Sequence, residues 1–465
     1  MELEENNNNN NNEVEGEGEE LVFEDPFGDE FEDEEIIEED LDEDDDEDNE
    51  DNQRENIQDE SKISGNEPQT RVWRPGVDAL EEGETLDYDP SAYVTYHSLR
   101  TEWPCLSFDI LRDNLGEGRI RFPLSMLIVA GSQADRAEKN KITVLKISDV
   151  QKTQANESDD EDEEDDDNED EDPTLEHVNI NHVGGVNRIR AMPQDSGIIA
   201  TMADTGKAHV FDITRLTRSM MIKGPRAAPP HKPAYTFKGH REEGYAIDWS
   251  PVTAGQLATG DCAGGIYIWN NVGNGSGGTL ASSFKVSKAY LGHNGSVEDL
   301  QWSPTESTVF SSSSVDRTVR IWDTRGKNGP QITIDAHETD VNVISWNKNV
   351  NYLLASGCDD GSFKVWDLRA IREAQPLAHF RHHRQPVTSI EWAPHDESML
   401  TISSADNTIT TWDLSVESDD VPDLDETAQQ QVQEYPPQLL FIHQGQTNIK
   451  EIHHHPQIPG LILSS

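Results

Sequence analysis

Three His–Asp pairs recur in this 465-residue chain at a single separation. His293 and Asp316, His337 and Asp360, and His383 and Asp406 stand 23 residues apart, and a Trp follows each Asp by six (Trp322, Trp366, Trp412). An Asp beside a His is the arrangement that fixes an imidazole for general acid–base work. Two clusters, His379 with His382 and His383, and the run His453, His454 and His455, are of the type that holds zinc. The context argues against both chemistries. Catalysis does not need the same pair in every repeat, and consecutive strand residues point to opposite faces, so adjacent histidines do not converge on one ion. Neither a phosphate-cradling glycine loop nor a nucleophile motif occurs. The reading is therefore of a protein that is no enzyme and needs no metal or cofactor.

The elements that position these residues follow from a wider register. A His is followed 29 residues later by an aromatic residue five times: His182 and Phe211, His240 and Trp269, His293 and Trp322, His337 and Trp366, His383 and Trp412. Four of these units carry a second Trp 20 residues before the last (Trp249, Trp302, Trp346, Trp392), and Asp follows the closing aromatic in four of five. Between the marks lie short β-branched and aromatic runs such as "TVRIWD", broken by Asp, Asn, Gly and Pro. Repeats of this length with His early and Trp-Asp late point to four-stranded propeller blades, which bury their faces only by stacking. The chain resembles WD-repeat proteins. That resemblance implies that Asp316, Asp360 and Asp406 hold the blade histidines, which in turn meet a Ser or Thr and the Trp. The expected fold is all-β, a seven-bladed WD-repeat β-propeller with an N-terminal helix and long acidic disordered segments.

The net charge of −56 is unevenly placed. Residues 1–60 hold 31 acids and one base, residues 157–172 hold 14 acids and no base, and residues 417–426 hold six acids and no base. The remainder carries only about −6, so the scaffold is near neutral and the acid sits on appendages. Such blocks cannot bury enough apolar surface to fold and they repel themselves open. They serve either solubility or the rapid, salt-sensitive capture of a basic partner. Their sign disfavours direct nucleic-acid binding. Cys105, Cys262 and Cys358 are few and scattered, as expected in a reducing compartment. The start "MELEENNNNN" lacks the features of a signal peptide, and no apolar run is long enough to span a membrane.

Residues 1–70 read as an acidic disordered region and 71–104 as an N-terminal helix with its lead-in. Asp89 is placed as N-cap and Pro90 at the first helical position; Ala92, Tyr96 and Leu99, with Tyr93 one position off, form an apolar stripe that Pro104 ends. The propeller takes 105–465, with acidic insertions at 157–172 and 417–434. Blade one opens at "CLSFDILRD" and blade two near His177, with Ala191 where a Trp is usual. Blade seven starts in "EYPPQLLFIH". Its closing aromatic would fall about nine residues past Ser465, so that blade is expected to be incomplete.

Two stretches carry a narrower resemblance. The helix followed by "EWPCLSFDI" resembles the start of the retinoblastoma-binding, chromatin-assembly histone chaperones, and "PPQLLFIHQG" resembles their di-proline loop. The resemblance implies a side groove for a basic helix, formed here by Tyr93, Tyr96, Leu99, Glu434, Pro436, Pro437 and Leu440. The acids Asp159, Asp160, Glu161, Asp162, Glu163, Glu164, Asp165, Asp166 and Asp167 would capture the same partner. "PCLSFDILRD", "GSQAD", "GDCAGGIYIW" and the acidic block after blade one make residues 75–465 most similar to the glutamate-rich WD-repeat proteins of ribosome assembly. That family implies a nuclear and nucleolar chaperone of the newly made L-three protein of the large ribosomal subunit, in contact with pre-ribosomal particles. Core histones are the alternative client. A third reading, a ubiquitin-ligase substrate receptor, rests on "WDTR" and "WDLR", whose Arg325 and Arg369 would contact the ligase scaffold.

Overall fold

The structure, a computed structural model, describes residues 90–153, 172–222, 227–272, 283–326, 329–371, 375–417 and 435–465. The N-terminal region 1–70, residues 71–89 and nearly all of both acidic insertions lie outside these. Six four-stranded antiparallel sheets follow one another along the chain, at 105–181, 186–237, 247–286, 297–335, 341–381 and 387–443. Each runs inner to outer in chain order, and the inner strands of successive sheets pack side by side. The alternation written in the sequence decides this. In Val297–Trp302 every second residue points into an interface between blades. Apolar clusters therefore join neighbouring blades. One holds Val343, Phe363 and Val365 of blade five with Ile390, Leu400 and Trp412 of blade six.

Two expectations need correction. The propeller has six blades, not seven. The segment after blade six supplies a ladder of only two strands, Ile452–His454 and Ile462–Ser464, which lies between blades six and one. The phase also shifts by one strand. Thr174–Asn181, read as the start of blade two, is the outer strand of blade one, and Leu439–His443, read as the start of a seventh blade, is the outer strand of blade six. The second correction concerns the helix. Among the described residues 90–104 there is only a 3-10 turn, Pro90–Ala92, and Tyr93, Tyr96 and Leu99 do not share a helix face. The backbone there finds partners on blade one instead of one turn back: Thr153 N–H donates to Val94 O (3.1 Å), and Tyr96 N–H donates to Thr153 Oγ1 (3.0 Å). The β-branched pair Val94 and Thr95 favours that extended course. The one α-helix among the described residues is α1, Thr214–Met221, between the third and fourth strands of blade two.

The inner strands are parallel round the ring. Residues just past their ends (Pro193, Pro251, Pro304, Lys348, Pro456) share one central cavity of about 250 Å³. The third-to-fourth-strand connections of all six blades consequently open on that end, and the turns carrying the recurrent Asp residues open on the other. Buried polar staples link inner strands in sequence. Asp109 accepts from Ala191 N–H (2.7 Å), Asp248 from Trp302 N–H (2.7 Å), Asp299 from Ile344 N–H (3.1 Å) and Glu391 from His454 N–H (3.2 Å). Glu451 closes the circle, accepting from Phe108 N–H (2.8 Å), Arg188 (2.9 Å) and Arg190 (2.6 Å).

His453 sits between Glu391 (2.9 Å) and Glu451 (3.7 Å). Burial alone would lower its pKa, but the two carboxylates override this and lift it to about 9. A raised cation stabilises the fold fully below the ordinary histidine value of about 6.5 and ceases to do so as pH climbs through the folded value. Against the cost of burial, cationic neighbours hold Glu391 at about 2 and Glu451 well below the usual range, so their contribution fades only in strong acid. Urea-denaturation midpoints are therefore expected to fall between about pH 6.5 and about pH 9.5. His453→Gln should flatten that limb; an unchanged limb would show that the His453 contacts do not set it.

Candidate functional site

The recurrent His–Asp pairs lie in the blade walls. In blade four the Trp322 indole donates to Ser312 Oγ (2.8 Å), Ser312 donates to His293 Nε2 (2.6 Å), and His293 Nδ1–H donates to Asp316 (2.9 Å). An indole can only donate and a carboxylate only accept, so the chain of protons runs one way and sets the tautomer. Burial depresses the His293 pKa, keeping the ring neutral. The residues are hidden and fully paired, which suits a structural role.

The other blades vary the parts. Blade five keeps Trp366, Ser356 and His337 (2.9 and 2.8 Å), but Asp360 accepts from Cys358 Sγ and Ser362 rather than from His337. Blade six keeps His383 to Asp406 (3.1 Å), yet Ile402 occupies the position of Ser312. Its cross-strand partner Thr410 supplies the hydroxyl to both His383 (2.9 Å) and Trp412 (2.8 Å). Blade three has a complete network that sequence spacing missed, because Asp261 stands eight rather than six residues before Trp269. The signal available was Thr259, ten before the Trp like Ser312 and Ser356.

The exposed chemistry lies where the lead-in segment meets blade six. The outer strand Leu439–His443 follows Pro436 and Pro437, with Leu439 N–H closing a turn onto Pro436 O (2.9 Å). Its alternation presents Phe441 and His443 to Tyr93, at ring distances of 5.4 and 5.8 Å, both edge-on. Tyr93 Oη lies 2.7 Å from His443 Nδ1, and Tyr96 packs on the Tyr93 and His443 rings (5.3 and 5.9 Å). Burial, then the neighbouring Tyr96, pushes the Tyr93 phenol up to about 12, while burial lowers His443. Tyr93 is therefore the donor to a neutral imidazole. On the far end the segment is tied to blade one by Thr95 Oγ1 donating to Gln151 O (2.8 Å). Val94, Leu99, Tyr435 and Leu440 remain exposed around this aromatic floor. Of the groove residues read from sequence, Tyr93 and Tyr96 come together and Leu440 lies on the same strand as their partners. Leu99 is exposed to solvent, and Glu434 lies outside the described residues, as do Asp159–Asp167. Phe441 and His443 were missed; their alternation with Leu440 was the readable cue.

Arg325 and Arg369 lie on the connections leaving blades four and five, on one end of the ring. Each is largely exposed and folds back on its own Asp323 or Asp367; Arg369 also stacks 3.4 Å over the Tyr352 ring. Among the described residues no group of His, Cys, Asp and Glu is placed to hold a metal, and no helix is long and apolar enough to cross a membrane.

A family model for the histone-binding protein RBBP4 and its counterpart in the CAF1 complex matches residues 83–151, which include Tyr93, Tyr96 and the blade-one anchor. The "WD domain, G-beta repeat" model matches 284–323, 328–367 and 374–413. The chain is 45% identical over 409 residues to the glutamate-rich WD repeat-containing protein 1 of Dictyostelium discoideum, covering 85% of this chain and 83% of that one. The chain belongs to the glutamate-rich WD-repeat family. It is also 41% identical over 419 residues to the ribosome assembly protein rrb1 of Schizosaccharomyces pombe (88% and 85% covered). To the protein heat stress tolerant DWD 1 of Arabidopsis thaliana it is 44% identical over 426 residues (85% and 89% covered). This glutamate-rich WD-repeat chain thus combines a WD scaffold with an N-terminal stretch of the histone-binding type.

Proposed function

We propose that this protein is a non-enzymatic chaperone that holds a basic client during ribosome assembly, the client being the newly made L-three protein of the large ribosomal subunit. The observation that carries the reading is the aromatic floor of Tyr93, Tyr96, Phe441 and His443 with exposed Leu440 at its rim. It lies partly within the stretch matched by the histone-binding model. A groove of this kind suits an amphipathic basic helix, apolar anchors inward and cations toward the acids. The acidic segments 1–60, 157–172 and 417–426 capture by charge, and the groove selects. The name of the fission-yeast relative supports the assembly setting. The working place is the nucleus and nucleolus, beside pre-ribosomal particles. Core histones, equally basic, are the second client class, supported by the family model at 83–151. A ligase-receptor role through Arg325 and Arg369 is supported by their exposure on one end of the ring.

The test is capture of tagged protein from nuclear extract at moderate salt, with wild type beside Tyr96→Ala and Leu440→Asp. One stoichiometric large-subunit ribosomal protein is expected, with retention falling about 10- to 100-fold in the variants, as for a groove hot spot. Histones alone would move the assignment to chromatin, and equal retention by the variants would remove the groove from it.

A further inference from the structure

Between Asp212 and Glu242 the chain contains seven Lys or Arg residues and no acid, although 92 of its 465 residues are acidic. Helix α1 opens this stretch. Leu216 and Met220 on one face are buried, while Arg215 and Arg218 on the other are exposed, followed by exposed His231 and Lys232. None of these four makes an ion pair or side-chain hydrogen bond with any described residue. An unpaired basic face on a chain of −56 is the exception on this surface, and it calls for an anionic occupant.

We infer that the basic face of α1 is the docking surface for the chain's own acidic insertion, residues 157–172. Charge is the first argument: 14 acids without a base face a helix whose exposed residues are cationic. Place is the second. The insertion leaves blade one between its third and fourth strands, above the pair Ser148 and Thr174. α1 is the corresponding connection of blade two, on the same end of the ring. Leu216 and Met220 belong to the same apolar cluster as Ile142, Val144 and Ile180 of the two strands that flank the insertion. Reach is the third. About 20 residues anchored at both ends extend up to roughly 30 Å from their base, against a spacing of about 10 Å between packed sheets. Tethering gives an effective concentration on the order of millimolar, so modest affinity suffices for occupancy. Nucleic acid is the competing anion, but the field of the whole chain repels it. The docking does not depend on which client the protein serves.

The experiment uses the full chain with 157–172 replaced by a neutral Gly-Ser linker of equal length, and a labelled synthetic peptide of residues 157–172 at low salt. Fluorescence anisotropy should show the peptide binding this variant at least about tenfold more tightly than wild type, whose surface is already filled in cis. Adding Arg215→Glu and Arg218→Glu to the linker variant should abolish binding, with an unchanged melting curve since both side chains are exposed. Equal affinity for linker variant and wild type, or indifference to the charge reversal, overturns the inference. So does a short single-stranded RNA that binds wild type through Arg215 and Arg218 while the peptide does not.

Discussion

Glu451→Leu is expected to lower stability by about 3–5 kcal/mol, the usual cost of leaving buried charges without their partner. The carboxylate is 1% exposed and accepts from two guanidiniums and a backbone amide. Its removal strands Arg190, which lies wholly inside the ring and also leans on Asp109. It also takes one of two anions from His453. The loss should fall on the junction of the two-stranded ladder with blades one and two, so amide exchange of residues 449–465 should rise before that of blade four. The triple replacement Arg188→Met, Arg190→Met and Glu451→Leu should recover much of the loss, because an apolar cluster of similar volume incurs no desolvation penalty. A single variant that melts within about 1 kcal/mol of wild type would mean that water enters the junction and that Glu451 is not its fastener.

Thr410→Val carries the second-largest expected effect. It keeps the side-chain shape but leaves His383 Nε2 and the Trp412 indole without a partner inside blade six. Two orphaned buried polar groups cost roughly 2–5 kcal/mol together. Blade four supplies the comparison: Ser312→Ala breaks the equivalent pair of bonds and should cost a similar amount. The distinctive part is rescue. Ile402 pairs across the strands with Thr410 and stands 19 residues after His383, where blades three to five have Thr259, Ser312 and Ser356. Introducing Ile402→Thr into the Thr410→Val chain should restore part of the denaturation midpoint. If it restores none, the hydroxyl position is not interchangeable across the strand pair.

These variations mark what could be read from the sequence. The spacing of His293, Ser312 and Trp322 is set by strand length and register, both local, so the blades stood out in the bare chain. Blade number and phase did not. A repeat that begins with His counts from the outer strand of the preceding sheet, which is why Thr174–Asn181 was allotted to the wrong blade. The two-stranded ladder gives no such spacing, since its histidines serve the inter-blade staples: His453 meets Glu391, and His454 reaches Thr401 at 3.0 Å. The groove was half legible. Tyr93 and Tyr96 were found, but through an apolar stripe that presumed a helix, whereas tertiary hydrogen bonds to Thr153 and Gln151 hold that backbone extended. Phe441 and His443 became visible only once the far end of the chain lay beside residue 93. The Glu451 cluster, spanning more than 260 residues of sequence, had no local sign at all.

The parallel inner strands send every third-to-fourth-strand connection out on one end of the ring. The strand ends flanking both acidic insertions, the helix α1, Arg325 and Arg369 all belong to that end. The protein is consequently a two-sided particle with an electric moment along its central axis. Within about a Debye length, roughly 8 Å at physiological salt, a cationic body approaching from any direction is turned toward the charged side before contact. The reverse side, bearing the short Asp turns, is left for a different neighbour, so the molecule can hold cargo on one side while being recognised from the other.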